Sequence, residues 1–260
     1  MRIRIQTLLL SGTAATALAA CGSTPSSGPS ASPDPLSGSI TVFAASSLTS
    51  AFNTAEKGLE VDHPGFSAQY SYGSSQALVT QLISGAPADV IATANTSTMQ
   101  QLVAKGLVNT PQALCKNKLE IIVAPGNPKG VKTLADLATP GLAVVLAAPG
   151  VPVGDYSTKA LAAAHITVTP KSLQLDDALV VEQVESGNAD AALVFVTDVV
   201  TAGTKVTGVP IPDAQNVIGT YEIAVLKAST HAAAAQAFVT DAVSGDVQTQ
   251  LLADGFLKAS

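Results

Sequence analysis

The chain has 260 residues, 47% of them apolar, with 13 basic against 19 acidic side chains and a formal net charge of −6. That length and apolar content can bury a large core as one large or two small domains, whereas the acidic balance argues against nucleic acid, because gripping a phosphate backbone needs a basic surface. Both arginines, Arg2 and Arg4, fall in the first twenty residues; without that segment eleven lysines face nineteen acids, a net −8, and no guanidinium fork remains to clamp a carboxylate or phosphate.

Arg2 and Arg4 precede an apolar stretch through Leu8, Leu9 and Leu10 that ends in Leu18-Ala19-Ala20-Cys21. Residues 1–20 read as a short secretory signal, not a membrane span. Leu-Ala-Ala-Cys resembles the bacterial lipobox, in which the cysteine becomes the lipidated first residue; cleavage by an ordinary signal peptidase, with Cys21 incidental, is the alternative. Residues 21–38 are rich in Gly, Ser and Pro, the composition of a flexible tether. Nothing later is long and apolar enough to span a bilayer. With lipid on Cys21, Cys115 has no partner for an intramolecular disulfide and reads as a buried thiol.

From Ser39 onward, strands and helices alternate. Residues 40–44, 66–72 and 89–93 are β-rich. Between them, Leu48, Ala51, Phe52 and Ala55 follow the pair Ser46-Ser47 at helical spacing, and Leu78, Val79, Leu82 and Ile83 follow Ser74-Ser75. A helix over 97–105 ends at Gly106, and a strand over 119–124 runs into the turn Pro125-Gly126-Asn127-Pro128. A helix near 133–137, a strand over 142–146, helices over 155–164 and 176–185, and strands over 191–196 and 217–226 follow, and helices over 230–243 and 246–252 close the chain. This alternation predicts an α/β architecture with mostly parallel sheets, whose ligand sites lie at the carboxyl ends of strands.

Both serine pairs sit at such ends. A lone serine there can simply cap its own helix. Two in a row, twice, allow one hydroxyl to cap while its neighbour and the free first-turn N–H groups face an anion favoured by the positive end of the helix dipole. Two later junctions share this character. In Ala148-Pro149-Gly150-Val151-Pro152-Val153-Gly154-Asp155 the backbone can approach a ligand closely, and in Leu175-Asp176-Asp177-Ala178 Asp176 is a good N-cap followed by free amides.

On these motifs the chain resembles the bacterial molybdate-binding proteins that feed ABC transporters, two-lobed periplasmic-type substrate-binding proteins. The resemblance covers residues 39–257. Its specific parts are Val42-Phe43-Ala44-Ala45-Ser46-Ser47-Leu48-Thr49, the pair Ser74-Ser75, Gly85-Ala86-Pro87-Ala88-Asp89-Val90, Val151-Pro152-Val153-Gly154-Asp155-Tyr156 and Asn188-Ala189-Asp190-Ala191-Ala192-Leu193-Val194. It implies two lobes, each a mostly parallel sheet flanked by helices: residues 39–117 with 224–260, and residues 118–223. Two crossing strands, near 118–124 and 217–225, would form the hinge. The implied ligand is molybdate, and tungstate with it, held by the hydroxyls and amides of Ser47 and Ser75 from one lobe and the backbone amides of Val153 and Asp177 from the other. Molybdenum then enters only as the bound oxyanion, and no cofactor is expected. The implied partners are an ABC permease and its ATPase, and the implied state is a monomer, lipid-anchored through Cys21 to the outer face of the cytoplasmic membrane. One departure stands out: where the family commonly places a tyrosine whose hydroxyl reaches the ligand, this chain has Phe195. Either the site has one donor fewer, or Thr197 or an ordered water substitutes, or the preferred anion differs.

Neutral donors can suffice for a tetrahedral dianion, because each hydrogen bond to a charged group contributes roughly 1.5–3 kcal/mol and a rigid ring of donors also selects by size. Sulfate or phosphate is the alternative ligand. A carboxylate beside a dianion is repulsive, so the Asp177 side chain is expected to turn away and accept N–H groups at its helix start. A cell-envelope serine hydrolase is the competing class, but His63, His165 and His231 read as turn, helix end and helix start. The chain has no Gly-x-Ser-x-Gly elbow and no histidine pair at metal-ligand spacing. Ferric-ion binding would want clustered tyrosines, and Tyr70, Tyr72, Tyr156 and Tyr221 are scattered. A purely structural lipoprotein would leave the four donor-rich junctions unexplained.

Overall fold

The computed structural model describes residues 34–259; the signal segment, Cys21 and the tether before residue 34 lie outside them. Strand β1 (Gly38–Ala45) lies between β2 (Phe66–Gly73) and β3 (Val90–Thr93), parallel to both. Its last four residues, Val42 to Ala45, are all buried, the signature of a strand covered on both faces. A 3-10 turn (Ser46–Leu48) and α1 (Thr49–Asp62) follow β1, α2 (Ser75–Ile83) follows β2, and α3 (Thr96–Ala104) follows β3.

The long β4 (Gln112–Val123) then leaves this half of the sheet. Up to Lys118 it pairs with β9 (Ile218–Val225), which also borders β3; from Leu119 it pairs with β7 (Ala191–Phe195), and from Glu120 also with β8 (Thr207–Pro210). Beyond β7 lie β5 (Val144–Ala147) and β6 (Ser172–Gln174), all three parallel. Helices α4 (Pro152–Ala163), α5 (Asp177–Glu185) and α6 (Val196–Ala202) follow β5, β6 and β7. The chain returns through β9 to α7 (Ala232–Ser244) and α8 (Asp246–Ala253), and α8 packs against α1 and α7.

Each half therefore holds three parallel strands, while the strands between the halves are antiparallel, because β4 carries the chain out and β9 brings it back. The elements absent from the sequence reading are β6, β8 and α6. The first has three residues, the second contains Gly208 and Pro210, and the third begins Val196-Thr197, β-branched residues that continue the strand pattern. The helix expected near 133–137 is a 3-10 turn (Leu134–Ala138). Helix α4 starts at Pro152 rather than residue 155, since proline is pre-set for the first helical position.

One contiguous core runs through both halves, with Phe52 and Phe238 in one and Leu119 and Phe195 in the other, and a smaller cluster around Met99 and Leu102 lies beneath α2 and α3. Cys115 is a buried free thiol whose pKa burial pushes up. Among the described residues no helix is long and apolar enough to cross a membrane.

Gly154 lets the start of α4 approach β5: a Cβ there would meet the carbonyl oxygen of Ala148 and stand 2.6 Å from that of Ala147. Gly154→Ala should therefore cost about 1–3 kcal/mol, the range for overpacking against parts that cannot yield. Denaturant unfolding measures it, and an unchanged midpoint would show that the loop gives way freely.

Candidate functional site

The carboxyl ends of the parallel strands in both halves meet around a small space lined by Ser46, Ser75, Val153, Asp177 and Phe195. It leaves room for about 10 Å³, on the order of a single water molecule. Ser75, Val153 and Asp177 occupy the first turns of α2, α4 and α5, so their amides have no acceptor within their own helices.

In the second pair the cap is Ser74 and not Ser75, the serine that directly precedes the helical pattern in the sequence. Ser74 is the N-cap of α2 and accepts from the Ala77 amide at 3.3 Å. The Ser75 hydroxyl accepts the Ala94 N–H at 2.9 Å and keeps its own proton to donate elsewhere.

The first pair does not cap. Ala45 is the N-cap of the 3-10 turn and Leu48 that of α1, because both hydroxyls are engaged by distant partners. Ser46 donates to Asp176 Oδ2 at 2.6 Å across the two halves, and Ser47 Oγ lies 2.8 Å from Tyr221 Oη. Ser47 lines an adjoining groove of about 270 Å³, with Ser46, Asp198 and Lys205, rather than the small space itself. Of the four residues expected to hold an anion, the structure brings three together and places Ser47 alongside.

Behind Ser47 lies a buried polar chain that sequence reading missed. Asn117 on β4 donates from Nδ2 to Thr197 Oγ1 at 2.7 Å and to Tyr221 Oη at 3.3 Å. Phe195 is fully buried, its ring 5.8 Å from that of Tyr221 and 6.1 Å from that of Tyr156. Tyr221, from β9, thus brings a hydroxyl-bearing ring beside Phe195. A tyrosine in an alternating strand carries no sign of such a role, and neither does an asparagine between two lysines.

Acidic groups dominate the electrostatics. Burial, reinforced by Asp198 and Asp176, pushes the Asp177 carboxyl well above the usual range, and Asp198 is pushed up to about 7, chiefly by burial. Asp177 Oδ1 accepts the Ala178 N–H at 3.0 Å, as expected of a side chain turned to its own helix start, and Asp198 Oδ2 accepts the Phe195 N–H at 2.9 Å. His63 and His231 pair with Asp34 and Asp89 rather than with the serines. No group of three or more His, Cys, Asp or Glu side chains among the described residues could hold a metal ion.

Residues 40–257 match the family described as bacterial extracellular solute-binding protein. The molybdate-binding protein ModA of Mycobacterium tuberculosis is 39% identical over 258 residues, 98% of each chain. Among solved structures, the chain is similar to the substrate binding domain of a putative molybdenum ABC transporter from Clostridium difficile. That match has a TM-score of 0.66 and 26% identity, over 85% of this chain and 99% of that one. It shares its fold with the sulfate-binding protein SubI of Mycobacterium tuberculosis, at a TM-score of 0.77 and 21% identity over 84% of this chain and 86% of that one.

The Asp198 carboxyl titrates near 3.8 ordinarily and about 7 in the fold, so between these values the folded chain holds a proton that the unfolded chain has released. Its contribution to stability is therefore intact at low pH and declines as pH rises through that window. Asp198→Asn, which cannot ionise, should lack this decline. Its denaturation midpoint should gain on the wild type between pH 5 and pH 8, and parallel pH profiles for the two proteins would refute the assignment.

Proposed function

The chain belongs to the bacterial extracellular solute-binding proteins, and from that premise we propose that it captures molybdate, and tungstate with it, between its two halves and delivers the ion to an ABC permease and ATPase. In this reading it works as a monomer on the outer face of the cytoplasmic membrane, anchored through lipid on Cys21. Members of the family bind solutes, so no reaction is assigned to the serines.

The observation that carries the reading is the gathering of first-turn amides and a donor-ready serine hydroxyl from both halves around one buried space, with no cation among them. A tetrahedral oxyanion is larger than the room left there. Capture then requires the halves, residues 39–117 with 224–260 against 118–223, to part about β4 and β9, breaking the Ser46–Asp176 hydrogen bond, and to close again on the ion. Burial, with Asp198 and Asp176 beside it, holds the Asp177 carboxyl well above the usual range, a direction that favours its uncharged form and lessens its repulsion of a dianion.

Titrating the full-length protein with molybdate, tungstate, sulfate and phosphate should give the tightest binding for the first two. Ser75→Ala should lose about 1.5–3 kcal/mol of molybdate binding, the range for a hydrogen bond to a charged group. Equal affinity in that variant would remove Ser75 from the site. Tight phosphate binding that disappears in Asp177→Asn would replace molybdate with a protonated anion.

Anchoring is tested separately. Cys21→Ser should move the protein from membrane to soluble fractions with its ligand affinity unchanged, and retention of that variant on membranes would refute the lipid anchor.

A further inference from the structure

The Ser46 hydroxyl does not cap its own 3-10 turn; it donates to Asp176 Oδ2, 130 residues away in the other half, at 2.6 Å. That length falls in the short range of hydroxyl-to-carboxylate bonds. Asp176 is engaged on both of its oxygens. Its Oδ1 accepts the Ala178 N–H at 2.9 Å and caps α5, which leaves Oδ2 for Ser46. Ser46 is tied down as well, because its carbonyl oxygen accepts the Thr49 hydroxyl at 2.6 Å. The bond thus joins two segments whose next residues, Ser47 and Asp177, are both among the four expected to hold an anion. Ser46 lines the small space and also the adjoining groove of about 270 Å³, so the bond stands where the two meet.

We infer that Ser46 and Asp176 are positioning residues that form a clasp across the two halves, closing on the bound oxyanion and setting how slowly it is released. The clasp acts on the ion through closure. With the halves parted, water hydrates both groups; as the halves meet, that water leaves and the bond adds to the stability of the closed form. A hydroxyl whose proton is given to a carboxylate is withheld from the ion, which separates Ser46 from Ser75, whose proton stays free to donate. Because Asp176 also caps α5, the clasp holds the first turn of that helix, with Asp177, against the half that carries Ser75. The inference rests on the oxyanion-binding function proposed above.

The test is a mutant cycle on the full-length protein, loaded with molybdate of one molybdenum isotope and chased with an excess of another. Isotope exchange gives the release rate, and its ratio to the affinity measured by calorimetry gives the association rate. Ser46→Ala removes the clasp but spares the α5 cap and the Thr49 bond to the backbone. It should speed release about tenfold, on the order of one charge-assisted hydrogen bond, with association changed less than about threefold, since the clasp forms only once the halves have met. Asp176→Ser keeps a good capping residue but has a shorter side chain with no second oxygen to extend toward Ser46. In that background Ser46→Ala should change release less than about twofold. The comparison cancels the loss of the Asp176 charge, which both members share. If Asp176→Ser does not fold, Ser46→Thr carries the test: with the hydroxyl restored, release should return to the slow rate of the wild type, and release as fast as in Ser46→Ala overturns the clasp. An equal acceleration in both Asp176 backgrounds assigns the Ser46 hydroxyl to the ion itself and overturns the clasp, as does an affinity loss carried by association. Unchanged release in Ser46→Ala overturns it too, while leaving the functional reading intact. A wild-type protein that binds no oxyanion overturns the functional reading and this inference together.

Discussion

Charge must be handled in a buried place where the chain supplies no arginine, and the rest of the structure answers to that constraint. Helix first turns meet it, because their amides have no acceptors of their own and carry the positive end of the helix dipole. Parallel strands make those turns converge. Each parallel strand delivers its following helix to the same edge of the sheet, so β1, β2 and β3 in one half, and β5 and β7 in the other, all end around one small space. Gly154 permits the close approach of the start of α4, next to Val153, to the carbonyl groups that end β5.

The strands between the halves carry buried polar residues within the core. Asn117 and Tyr221 belong to β4 and β9, and their hydrogen bonds reach Thr197 at the start of α6 on one side and Ser47 on the other. Burying them costs free energy unless each polar atom finds a partner, and together they satisfy one another. Tyr156 on α4 also leans on this region, since its ring fills the place a side chain at Gly219 would take. The donor groups and the connecting strands are thus one packed unit.

Local pattern made much of the architecture legible. Alternating apolar runs, with caps at their junctions, located most strands and helices, and Ser74-Ser75 was legible as a helix start, although which hydroxyl caps depends on the Ala94 N–H that Ser75 meets only after folding. The first serine pair was legible as a site but not as a geometry. Its hydroxyls are committed to Asp176 and Tyr221, 130 and 174 residues away, and no local signal encodes such partners. The same reason hid Asn117, whose role depends on the three neighbours it meets only after folding. Phe195 drew attention as a missing hydroxyl, yet nothing in its own segment indicated that a hydroxyl from β9 stands beside its ring. Short β6 and β8 escaped because three or four residues carry too little periodicity.

The central claim is that a molybdate ion sits at the convergence of these helix starts, held by neutral donors. A crystal structure of the protein grown with molybdate, with anomalous scattering recorded at the molybdenum edge, tests it most directly. The account requires a single strong peak between the first turns of α2, α4 and α5, with oxygens facing Ser47, Ser75 and the amides of Val153 and Asp177 and with no lysine in contact. A peak at a lysine-lined surface, or an empty space between the helix starts at saturating molybdate, would contradict it.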